Sequence, residues 1–225
     1  MNGRKQTLLA LAIALAALVL PLAAPDYRAQ IALLWVMVLF AMTWDILGGQ
    51  TGHNSFGNVV FFGIGMYASA VVQRDSGLSY FVALFAGMGL GAIIAVVVAA
   101  VLGSMVLRMR GHYFAIATLG LGIAAAELAG GWEYIGAGSG MTTPLFPGEP
   151  GNQYLFFCYL FFALAAVVFC LLAWLYRTRF GLALNAIRDN EDKAEAMGLR
   201  TGLYKTAAWM VAAFFLGLTG GAVGN

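Results

Sequence analysis

Along the chain, apolar runs about as long as a bilayer is thick alternate with short breaks of Gly, Pro and charge, predicting an all-α, polytopic transmembrane helix bundle. A lipid core asks for roughly 20 mostly apolar residues per helical span, because backbone groups there must pair within the helix. By that rule seven segments qualify: Thr7 to Ala24, Ala29 to Leu47, Ser55 to Val72, Leu78 to Leu107, Tyr113 to Gly130, Tyr154 to Tyr176, and Thr206 to the last residue. The first follows Arg4 and Lys5 like a leader. Its small-x-small cleavage site is poor, with Pro21 and Pro25 flanking Ala23 and Ala24, so it reads as an uncleaved span. Spans and loops form one domain over residues 1–225.

Two of the seven segments depart from ordinary lipid-facing helices. The stretch from Gly48 to Tyr67 interleaves glycines with Gln50, His53, Asn54, Ser55 and Asn58, and polar side chains are expensive in lipid, so it should be buried in protein or line a wet cavity. The fifth segment carries Gly120 and Gly122 at its middle. Glycine-interrupted short spans point to a transport pathway, since unwound turns offer backbone donors and acceptors to a solute. The candidate pathway residues are Gly52, Asn54, Ser55, Gly57, Asn58, Gly63 and Gly65, with Thr118, Gly120 and Gly122 from the fifth segment. Elsewhere Gly87 with Gly91, and Gly217 with Gly221, have the spacing of close helix contacts.

Composition agrees with a membrane chain: only 10% of residues are charged and mean hydropathy is strongly positive. With the N-terminus in the cytoplasm, Arg4, Lys5, Arg108, Arg110, Arg177, Arg179, Arg188, Lys193, Arg200 and Lys205 fall inside, and Arg28 and Arg74 outside. That distribution obeys the positive-inside rule. The Gly- and Pro-rich loop from Gly130 to Gln153 then lies outside, either as a solvated connector or as a docking surface. Asp45 and Glu127 are the acids within predicted spans; each lies near an end, where it can reach the interface or serve a proton relay. Cys158 and Cys170 stand twelve residues apart on one helix, roughly 18 Å, too far to bridge. No metal site is expected, because His53 and His112 lack further ligands nearby.

The one long charged segment, residues 177–205, holds six of the twelve basic and four of the ten acidic residues. Asp189 or Asn190 can cap a short helix from about Glu191 to Met197, Glu191 and Asp192 favour its N-terminal dipole, and Gly198 can end it. Leu184, Ile187, Ala194 and Met197 can share an apolar stripe, which a bend near Asn190 would divide. A merely solvated helix needs no stripe, so the segment should lie under the membrane or dock in a partner's groove.

At these residues the chain resembles a known family. "AIRDNEDKAEAMGL" is similar to the cytoplasmic coupling segment of ABC importer permeases, specifically the branched-chain amino-acid permeases of the LivH/LivM family, the LivM branch more than the LivH. "SFGNVVFFGIGMYASA", "LRMRGHYFAIATLGLG", "RFGLALNAIRDNE" and "YKTAAWMVAAFFLGLTGG" agree with it in order, so the resemblance runs from about Leu47 to the end. The family's coupling loop has a Glu-Ala-Ala pattern followed by Gly; here Asp192 and Lys193 replace its first two residues while Ala194 and Gly198 match. Asn58 stands where members usually carry His, and Glu127 is the nearest acid to Ile123, where an acid is frequent. Members continue for several more spans, so this chain reads as a permease domain incomplete at its C-terminal end.

The resemblance implies an inner-membrane permease subunit for branched-chain or related amino acids, with urea or short amides as alternatives. It implies a homologous second permease, two cytoplasmic ABC ATPase subunits, a periplasmic solute-binding protein and surrounding lipid, and neither nucleic acid nor an enzymatic reaction. No G-x-x-x-x-G-K-[ST] is present, so no cofactor is expected in this chain and ATP is used by partner subunits. Arg188, Asp189, Glu191, Asp192, Ala194, Glu195, Met197 and Gly198 are then the candidate ATPase-coupling residues. The rival readings are a secondary carrier, coupled to protons through Asp45 or Glu127, and a membrane scaffold. On sequence grounds, Gly198→Pro or Ala194→Glu is expected to uncouple transport in a chain that still folds.

Overall fold

The computed structural model describes residues 3–107, 109 and 111–225. Nine α-helices follow one another among them: α1 (Gly3–Ala23), α2 (Arg28–Thr51), α3 (Asn58–Asp75), α4 (Tyr80–Val106), α5 (His112–Gly131), α6 (Pro150–Leu175), α7 (Arg179–Asp189), α8 (Glu191–Ala196) and α9 (Thr201–Val223). Seven of these match the seven apolar segments, and α7 and α8 fill the charged stretch. Among the described residues, α2, α4, α5, α6 and α9 are long and apolar enough to cross a membrane. The expected count of seven is thus met by five on length and composition. The polar ends of α3, with Asn58, Gln73, Arg74 and Asp75, dilute its hydropathy, yet its 18 residues still extend roughly 27 Å.

Glycine does not interrupt these helices as the sequence suggested. α3 runs unbroken through Gly63 and Gly65, and α5 through Gly120 and Gly122. The irregular backbone is confined to residues 52–57, before α3 begins. Glycine serves instead to bring backbones together where α3, α4 and α9 cross. A Cβ on Gly65 would fall on the Gly217 carbonyl, one on Gly91 would lie 2.9 Å from Gly65 Cα, and one on Gly217 would lie 2.7 Å from Ala92 Cα. Further along, Gly220 lies on the Phe62 carbonyl and Gly221 on Met88. Lipid offers no hydrophobic drive between helices, so association depends on such close van der Waals packing.

Around this trio, α6 lies along α2, with Trp35 and Phe162 edge to face at 5.0 Å and the Cys158 thiol donating to the Arg28 carbonyl at 2.9 Å. α1 leans on α6, where the Tyr159 hydroxyl reaches the Leu18 carbonyl. α5 stands at the margin with only Phe114 and Thr118 buried.

The two ends of the bundle differ in charge. Arg28 donates to the Gly151 carbonyl, and Arg74 to the Tyr134 carbonyl, at the end that carries the Gly- and Pro-rich loop. Arg188 and Lys205 meet residues 49–53 at the other end. The side chains of Arg4 and Lys5, and residues Arg108 and Arg110, all assigned to the cytoplasm from sequence, lie outside the described residues.

These contacts set a contrast between two glycines one turn-half apart. Gly65→Ala should cost about 1–3 kcal/mol through overpacking and lower the yield and melting temperature of the protein in detergent. Gly63→Ala, whose Cβ would meet nothing within 4 Å, should leave both unchanged.

Candidate functional site

The charged stretch folds as two helices meeting at Asn190. The backbone there turns extended (φ −164°, ψ 106°), and its side-chain Oδ1 accepts from the Lys193 N–H at 2.9 Å. This is the N-cap that the sequence offered. α8 ends at Ala196, two residues before Gly198, whose φ of +89° suits the left-handed stop and disfavours any other residue. The apolar stripe continues past the bend and loses only its last member, at the C-cap of α8. Leu184, Ile187 and Ala194 turn inward, whereas Met197 is 85% exposed.

The eight coupling candidates accordingly separate. Asp189, Asp192, Glu195, Met197 and Gly198 are exposed, Glu191 is half-buried, and Arg188 reaches back to donate to the Gly49 carbonyl at 3.2 Å. Ala194, only 3% exposed, is part of the contact beneath α8. The expectation that Ala194→Glu would spare folding is therefore corrected: a carboxylate there would have to enter packed structure.

Under α8 lies a polar cluster that the sequence reading did not assemble. Lys205, one turn into α9 and 2% exposed, donates through Nζ to Glu191 Oε1 at 2.5 Å. His53, from the turn after α2, brings Nε2 to 3.4 Å from Glu191 Oε2 and 3.5 Å from Lys205 Nζ. Its Nδ1 lies 2.9 Å from the Thr51 carbonyl. Thr201 donates its hydroxyl to Glu195 at 2.6 Å. Burial works to raise the Glu191 carboxyl's pKa, but the hydrogen bond and charge of Lys205, then Thr201 and His53, outweigh it and hold it below its ordinary value of 4.5. From sequence, Lys205 counted only as an inside charge, and His53 as one of the polar residues of the Gly48–Tyr67 stretch. The structure starts α9 at Thr201 and not at Thr206, which places Lys205 one turn inside the helix, where an unpaired charge is costly.

The pathway candidates are only partly brought together. Ser55, Gly57, Asn58 and Thr118 meet at the start of α3: the Phe56 N–H donates to Thr118 Oγ1 at 3.1 Å, and a Cβ on Gly57 would lie 3.3 Å from Thr118 Cβ. Trp209 packs edge to face on Phe61 and offers its indole N–H to Asn58 Oδ1 at 3.4 Å. Gly122 borders this group, next to Val59 and Phe56. Gly52 ends α2 with φ +73° and is exposed, as is Asn54. Gly63 and Gly120 have open space beside them, and Gly65 lies in the α3–α4–α9 crossing. Of the acids proposed for a relay, Asp45 accepts from Gln50 and from the Tyr176 hydroxyl, and Glu127 is exposed on α5.

Residues 29–225 match the family described as branched-chain amino acid transport system / permease component. The high-affinity branched-chain amino acid transport system permease protein LivM of Escherichia coli (strain K12) is 25% identical over 244 residues, covering 96% of this chain and 56% of that protein. The protein of the same description from Salmonella typhimurium (strain LT2) is 24% identical over 212 residues, covering 82% of this chain and 49% of that protein. The chain thus spans about half the length of the curated relatives it matches. No solved structure matches it.

The cluster dictates a pH dependence. Because the Glu191 carboxyl is held down in the folded chain, its contribution to stability is present above the ordinary carboxylate range and is lost as the pH falls through the lowered value. Glu191→Gln should flatten the acid limb of the stability profile, where the pH falls below the ordinary carboxylate range. Lys205→Met should cost about 1.5–3 kcal/mol near neutrality and should regain part of it in the double variant with Glu191→Gln. Melting temperatures in detergent across pH read both effects.

Proposed function

The chain belongs to the branched-chain amino acid transport permease family, and on that premise we propose that it is a membrane permease subunit of an ABC importer, moving branched-chain or related amino acids into the cytoplasm. The observation that carries the reading is α8. This capped short helix shows Asp192, Glu195 and Met197 to the outside and is tied through Glu191 to the span that begins at Thr201. An exposed apolar residue among acids, mounted on a span end, is a docking device for a partner that moves the bundle. The partner is a pair of cytoplasmic ABC ATPase subunits, which bind and hydrolyse the ATP; this chain is itself no enzyme.

In this reading the protein crosses the inner membrane several times with its N-terminus in the cytoplasm. The end bearing Arg188, Lys193, Arg200 and Lys205 then faces inward, in keeping with the positive-inside rule. The loop between α5 and α6 faces a periplasmic solute-binding protein. The little-buried flank of α5, with Ile116, Leu119 and Ile123 exposed, faces a homologous second permease across the pathway that Asn58, Thr118 and Gly122 border.

Co-expression with the neighbouring genes, purification and reconstitution in vesicles provide the test. A P-loop ATPase should co-purify, and labelled leucine, isoleucine or valine should accumulate with ATP. Met197→Glu should leave the folded yield unchanged while reducing ATPase recovery and uptake by about tenfold. Uptake driven by a proton gradient without an ATPase would establish the carrier instead, and accumulation of urea or acetamide but not leucine would change the substrate.

A further inference from the structure

We infer that the buried Glu191–Lys205 pair, flanked by His53, is the pivot through which a displacement of α8 reaches the pathway, and that Lys205 is a positioning residue for coupling. The inference rests on the importer reading and deepens it. Geometry comes first. Glu191 and Glu195 are four apart on α8, and Thr201 and Lys205 four apart on α9, so each pair lies on one helical face. The two faces meet, Glu191 with Lys205 and Glu195 with Thr201. A helix of six residues has too few internal hydrogen bonds to hold itself in place, so its orientation is set by these attachments.

The pivot also touches what must move. His53 precedes the start of α3 and packs edge to face on Phe114 of α5 at 5.8 Å; Phe114 in turn meets Trp209 of α9 at 6.0 Å. Trp209 is the residue that bonds Asn58. From Glu191, therefore, one contact reaches α9 through Lys205, two reach α5 through His53 and Phe114, and Trp209 of α9 extends the path to Asn58 of α3. α9 cannot absorb a push along its length, because Gly217, Gly220 and Gly221 lie against the backbones of α3 and α4. An ion pair this buried is a poor device for stability, since apolar residues of the same volume are commonly as good or better. It is a good one for a fixed, directional attachment.

The test uses the complete complex, this chain with its second permease, ATPases and binding protein, in vesicles loaded with ATP. The readout is solute transported per ATP hydrolysed, which a purely structural defect does not alter because both activities then fall with the amount of folded complex. Lys205→Met and Glu191→Gln should each lower the ratio by about tenfold. Lys205→Arg should keep most of it, and the charge-exchanged pair Glu191→Lys with Lys205→Glu should recover part. If Lys205→Met does not assemble, the near-isosteric Glu191→Gln is decisive; failure of both to assemble makes the pair structural and overturns the pivot. A wild type that couples, with assembled variants that retain its ratio, also overturns the pivot while sparing the importer. A wild type that recruits no ATPase overturns both.

Discussion

Everything in this bundle depends on how closely α3, α4 and α9 approach. In lipid the ordinary hydrophobic drive between helices is missing, and cohesion comes from the density of short-range contacts. Gly65, Gly91 and Gly217 remove the side chains that would hold three backbones apart, and Gly220 and Gly221 continue the contact along α9. The result is a stiff frame. The remaining helices use larger residues and looser contacts, as between Trp35 and Phe162. α5 barely joins at all, so the bundle combines a rigid part with a lightly held one.

That stiffness gives the charged cluster its meaning. A lysine whose side chain is buried at the base of α9 would be a liability on a floppy helix; on one clamped along its length it becomes a fixed anchor. Glu191 compensates its charge and also pairs with His53, and so joins the α7–α8 corner to the turn after α2. The same few atoms thus serve solvation and mechanical continuity.

What the sequence disclosed follows the range of the physics involved. Spans were legible because lipid imposes a length on apolar runs, and α8 because an N-cap and a left-handed glycine are local signals, as Asn190 and Gly198 bear out. Glycine was misread in α3. Local reasoning associates it with unwinding, whereas Gly65 is explained by Gly217, 152 positions away and invisible to any window. Lys205 and His53 are likewise 152 positions apart. The stripe through Leu184, Ile187, Ala194 and Met197 failed at its last member because α8 ends at Ala196, so Met197 no longer follows helical periodicity. Of the residues read from sequence as pathway candidates, the structure groups Ser55, Gly57, Asn58 and Thr118, where polar side chains must find partners in an apolar setting.

The backbone on either side of α8 has a consequence for how force can be passed. Asn190 leaves the helical region at a single residue and residues 197–200 separate α8 from α9, so the helix between them is a link held by two short joints. Rotating such a link changes a few torsion angles at its ends and breaks none of the hydrogen bonds inside it or inside α7 and α9. Reorientation is therefore inexpensive in backbone terms, and its resistance comes from the side chains of Glu191 and Glu195 and the packing of Ala194. Stroke and stiffness are set by different residues, so either can be altered by substitution while the other stays the same.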